Sequence, residues 1–88
     1  MTNLTLPTIH SNGTSARKLA QDYGLARRLL RDAIIALEQV EFNGRDYYPQ
    51  GGDAWTRALA QHTARLTALE QVNEELAEIE QHCADQIR

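Results

Sequence analysis

The chain has 88 residues, 42% hydrophobic and 24% charged, with a formal net charge of −3. That length supports one domain, residues 1–88, and limits how much surface the chain can bury by itself. The balance excludes the broad basic footprint of a duplex-binding protein, and no apolar run approaches the ~18 residues that a membrane span needs.

Residues 1–14 are expected to form an extended arm. Leu4, Leu6 and Ile9 alternate with polar residues, and Pro7 disfavours helix. Nothing in this segment has the basic-then-apolar pattern of a signal peptide. Ser11-Asn12-Gly13-Thr14-Ser15 follows as a turn cluster, in which Thr14 or Ser15 caps the next helix. A first helix is predicted over 15–42. Leu19, Tyr23, Ala26, Leu30, Ala33, Leu37 and Val40 recur at four-three spacing and define one stripe. Leu25, Leu29 and Ile34 widen it beyond what one partner helix requires, which points to a second contact surface. Asn43-Gly44 provides a stop if the glycine takes the left-handed conformation.

The loop 43–52 is long for a helical hairpin, where about 2–8 residues is usual. Asp53 is placed to cap a second helix over 53–87, whose seam reads Trp55, Leu59, His62, Leu66, Leu69, Asn73, Leu76, Glu80, Cys83 and Ile87. Asn73 either fixes register in the seam or lies at its edge in water. The second helix exceeds the first by about two turns. Its C-terminal end is therefore expected to overhang, with Leu4, Leu6 and Ile9 folding over Ile79, Cys83 and Ile87. The fold class is all-α: two long antiparallel helices, coiled-coil-like, with an extended N-terminal arm.

Charge is uneven along the chain. Residues 1–45 hold six Lys/Arg and four Asp/Glu, and residues 46–88 hold three and eight. Attraction between a basic and an acidic helix is the simplest consequence. The single Cys83 rules out an internal disulfide and fits a reducing cytoplasm.

Three places carry enough chemistry to be candidate sites. In the loop, Arg45, Asp46, Tyr47, Tyr48 and Gln50 sit among glycines, and four of the five aromatics fall between Phe42 and Trp55. Aromatic faces stack on planar rings, Arg grips phosphate or carboxylate, and glycine-rich backbone offers N–H groups to anions. The alternative is a small aromatic core that caps the hairpin. On the first helix, Arg17, Gln21, Gly24, Arg28 and Arg31 share a face, either for a ligand or for ion pairs to the acidic helix. Ahead of that helix, His10, Asn12 and Thr14 join Arg17 at a helix N-terminus suited to anions, or simply form a turn and cap. Catalysis finds little support, the minor alternative being a hydrolase acting through Asp46 and His10 across a dimer, and no metal-ligand spacing or cofactor fingerprint is present in the sequence. His10, His62, His82 and Cys83 lack ligand-like spacing, and the glutamates of the second helix lack the Glu-x-x-His pairing of di-iron sites.

The segments Thr8-Ile9-His10-Ser11-Asn12-Gly13-Thr14-Ser15 and Asn43-Gly44-Arg45-Asp46-Tyr47-Tyr48-Pro49-Gln50-Gly51 resemble a family of small uncharacterised bacteriophage and prophage proteins. The resemblance implies action in the cytoplasm of a bacterial host cell, as a structural accessory, a regulator or an inhibitor of host defence. By analogy with compact helical defence inhibitors, the chain is expected to bind and sequester a small anionic, nucleotide-like ligand without catalysis. The alternative is a coiled-coil interaction module acting on a host or virion protein. A homo-oligomer is expected, an antiparallel dimer or higher. Arm and loop lie about 40 Å apart in one hairpin, so only a second copy could bring His10, Asn12 and Arg17 to Arg45, Tyr47 and Tyr48.

Overall fold

The computed structural model describes residues 3–87, as two antiparallel helices, α1 (Ala16–Glu38) and α2 (Ala54–Ala84), in a rod of 60 × 24 × 17 Å. The all-α hairpin with an extended arm is the observed architecture. Ser15 opens α1: its backbone is extended and its hydroxyl accepts a hydrogen bond from the Lys18 N–H at 3.1 Å. The helix stops at Glu38, a turn short of the expected 42. The Gln39 N–H closes back on the Ile35 and Ala36 carbonyls, and the chain then swings away so that Phe42 can stack on His62 of α2. Gly44 is therefore not the helix stop. The positive-φ glycines are Gly51 (71°) and Gly52 (55°), where the chain reverses into α2. Asp53 precedes α2 without a side-chain cap bond, because its carboxylate pairs with Arg57 instead. The connection thus runs from 39 to 53, with short 3-10 turns at Gly44–Asp46 and Tyr48–Gln50. The second helix ends at Ala84 rather than 87.

The stripe that α1 turns to its partner is Ala16, Leu19, Tyr23, Arg27, Leu30, Ile34 and Leu37, all buried or half-buried. Two consecutive steps of four, from Leu19 through Tyr23 to Arg27, shift it by one residue, so that Arg27 stands in place of the expected Ala26 and Ile34 in place of Ala33. Ala26, Ala33 and Val40 are exposed. On α2 the expected seam holds from His62 to Cys83, all buried or half-buried along its line. Asn73 lies in it: its Oδ1 is buried without a hydrogen-bond partner. Such an orphan costs about 1–3 kcal/mol.

Cross-helix pairs set the register. Arg27 Nε donates to Glu80 Oε1 at 2.5 Å, Arg31 Nη1 donates to Glu70 Oε1 at 3.1 Å, and Phe42 stacks on His62. In this register the start of α1 lies level with the end of α2, and the surplus length of α2 projects at its N-terminal end. This reverses the expected overhang. The projecting turns are covered by the connection, not the arm.

The arm still folds over the last turns of α2. His82 Nε2 and the Pro7 carbonyl are 2.8 Å apart, Leu4, Leu6, Pro7 and Ile9 are half-buried, and a turn closed by the Gly13 N–H on the His10 carbonyl leads into α1. Cys83, beside His82, is fully buried, and burial pushes its thiol pKa up. Ile87, by contrast, remains exposed. Replacing His82 by Ala removes the bond that pins the arm. If it contributes about 1 kcal/mol, labelling of Cys83 by a thiol reagent should quicken roughly five-fold. An unchanged rate would show that the arm does not gate this thiol.

Candidate functional site

Most of the loop chemistry is spent on folding. The Tyr47 ring lies 5.7 Å from Phe42 and 5.9 Å from Trp55, and Phe42 stacks on His62 at 4.3 Å with planes 14° apart. These four rings form a cap on the projecting turns of α2. Asn43 Oδ1 accepts from both the Arg45 N–H, at 2.9 Å, and Arg45 Nε, at 3.3 Å. Backbone carbonyls already take the N–H groups of Asp46, Tyr47, Gln50 and Gly51. A glycine-rich anion cradle needs such donors free, and within 44–52 only Gly44, Tyr48 and Gly52 keep theirs. Tyr48 is 71% exposed, its ring lying across Gly44, and Arg45, Asp46 and Gln50 are exposed around it. The loop therefore splits into an inner cap that contains Tyr47 and an outer rim of Arg45, Asp46, Tyr48 and Gln50.

At the other end, an open groove of about 650 Å³ runs between the arm, the start of α1 and the end of α2. His10, Ser11, Ser15, Arg17 and Ile87 line it. The His10 ring folds over the Gly13 α carbon, where an added Cβ would stand 2.8 Å from Nε2. Asn12 and Thr14 are exposed and lie outside the lining. Arg17 also borders a second hollow of about 290 Å³, shared with Gln21, Arg28 and Glu80. The polar face of α1 is thus continuous with the arm groove through Arg17. Ser11 and Ser15 were legible only as turn and cap residues, because their convergence with Ile87 depends on the helix register.

Gly24 explains the middle of that face. A Cβ at this position would stand 2.8 Å from Glu80 Oε2. The bare α carbon lets the carboxylate rest on α1, where Arg27 holds it. Arg27 and Arg31 accordingly serve cross-helix ion pairs. Arg17 and Arg28 form no ion pair among the described residues.

The third place is the outer face of α1. Leu25 lies about two and a half turns from the fully buried Ile34, hence on the opposite side of the helix. Leu25 is 52% and Leu29 58% exposed, and Ala26, Ala33 and Ala36 extend the same surface. Among the described residues no cluster of His, Cys, Asp and Glu is arranged to hold a metal, and no helix is long and apolar enough to cross a membrane. The chain matches no family model, no curated protein and no solved structure.

The division of the loop can be tested by urea denaturation. Phe42→Ala and Tyr47→Ala are each expected to lower unfolding free energy by about 1–3 kcal/mol, and Tyr48→Ala to change it by no more than about 0.5 kcal/mol. Equal losses at Tyr47 and Tyr48 would erase the distinction between cap and rim.

Proposed function

We propose that this protein is a non-enzymatic helical interaction module whose outer α1 face docks another helical chain. The observation that carries the reading is the exposure of Leu25 and Leu29 on the side of α1 that α2 does not cover. A hairpin of this size has little else to hide. Its fully or nearly buried apolar residues are Ala16, Ile34, Ala54 and Cys83. A compact monomer of 9.9 kDa is expected to expose about 5,200 Å². This chain exposes 6563 Å², and a standard interface removes about 800 Å² from each partner. Small accessory proteins of phage type, which the sequence resembles, fit such a role in a host cytoplasm.

Fluorescence-detected sedimentation of labelled protein, alone and in bacterial lysate, measures this directly. The wild type should sediment faster than a 9.9 kDa monomer in at least one setting. Leu25→Glu with Leu29→Glu should return it to the monomer position, with helical circular dichroism retained. A wild type that remains monomeric in both settings removes the basis for the reading.

A second reading keeps the anionic ligand but places it in the arm groove alone, without the loop residues. It is favoured by Arg17, exposed and without an ion pair among the described residues, standing between His10 and Ser15 on one side and Arg28 on the other. Arg grips phosphate through a planar pair of donors. Titration with ADP, followed by amide chemical shifts, should perturb Ser11, Ser15 and Arg17 before Arg45 and Tyr48, and Arg17→Ala should abolish the response. Shifts confined to Arg45 and Tyr48 would return the site to the loop rim.

A further inference from the structure

Building on the interaction-module reading, we infer that the occupant of the outer α1 face is a second copy of this chain, packed antiparallel about a two-fold axis near Leu30. The face complements itself when reversed. Its N-terminal half carries the large residues Leu25 and Leu29, and its C-terminal half carries the small residues Ala33 and Ala36. Turning one helix end for end sets Leu25 against Ala36 on both sides of the axis, the large-on-small match that close helix packing needs, while the two copies of Leu29 meet beside the axis.

Charge selects the same arrangement. Arg28 and Asp32 lie one turn apart along one edge of this face. Both are exposed and neither joins an ion pair among the described residues; the Arg28 guanidinium lies over Gly24 on the Glu80 side and turns outward to reach a second copy. Within one helix, Arg placed N-terminal to an acidic residue is the weaker order for such a pair. An antiparallel second copy brings the same edges together, so that Arg28 of each chain meets Asp32 of the other. An isologous interface repeats every contact, giving two such pairs. A parallel pair leaves these edges on opposite sides, unmatched. The excess of exposed surface over that of a compact monomer, about 1,400 Å², is larger than the ~800 Å² a standard interface takes from each partner. The same register carries the arm groove of each copy to the end of the pair where the loop rim of the other lies. The two separated sets of polar residues, His10 with Arg17 and Arg45 with Tyr48, then share one end of the assembly.

Sedimentation equilibrium on the full chain tests the inference by charge reversal. The wild type is expected to be a dimer. Arg28→Asp and Asp32→Arg should each weaken it by roughly tenfold, since each removes two ion pairs and adds repulsion. The double variant R28D/D32R should recover the wild-type constant. Independently of charge, Leu29→Cys sits close to the axis and should give a disulfide-linked dimer on mild oxidation, while Leu25→Cys, about a turn further from the axis, should not. A folded wild type that remains monomeric by itself, or a double reversal that stays as weak as the single ones, overturns the second-copy proposal. In that event a faster-sedimenting complex in lysate, lost with Leu25→Glu and Leu29→Glu, would leave the module reading standing with a different partner.

Discussion

The hairpin depends on one carboxylate. Glu80 reaches across from α2, rests on the bare α carbon of Gly24 and receives the Arg27 Nε–H at 2.5 Å. A Cβ at this position would make the Glu80 carboxylate shift, and the mid-helix glycine that lets it rest here costs about 1 kcal/mol relative to alanine. The return is positional. A part-buried charged pair is unfavourable unless its partners meet in good geometry, and an apolar seam alone tolerates sliding by a heptad. The Glu80–Arg27 contact, seconded by Arg31 and Glu70, distinguishes one register from its neighbours.

Both ends of the molecule follow from that register. Because the last turns of α2 lie level with the first turns of α1, the surplus of α2 emerges at its start. Phe42, Tyr47, Trp55 and His62 gather there to cover it. At the opposite end, the arm lies against the side of α2 that carries His82. It half-buries its alternating Leu4, Leu6 and Ile9 and is fastened where Pro7 meets His82. The rod is therefore a two-helix seam with a different plug at each end, and the outer face of α1 is left without either.

The architecture was legible in the sequence because helix periodicity over twenty or more residues is a strong signal. The details that escaped it share a cause: they depend on which residues meet across the seam. Ala26 and Ala33 fit an apolar stripe as well as Ile34 does, and Arg27 looks like a surface residue until Glu80 supplies its partner. The glycine that mattered for close approach, Gly24, was visible as an anomaly, whereas what approaches it was not. Around the loop, composition identified the right residues. It could not separate Tyr47, which joins the inner cap, from Tyr48, which lies outside, since adjacent residues at the junction of two 3-10 turns point in different directions. The turns take the N–H groups of Arg45, Asp46, Tyr47, Gln50 and Gly51, which reduces the loop's apparent wealth of donors.

The contact between Pro7 and His82 joins residues 75 positions apart in the chain. The pairs that zip the two helices together span shorter intervals and can close outward from the connection. Closing so long a segment of free chain costs entropy that a short-range contact does not. Once the hairpin has formed, however, the start of α1 already stands beside the end of α2, and the arm needs only to fold back over a few residues. Loop-closure entropy therefore favours closing the hairpin before the arm.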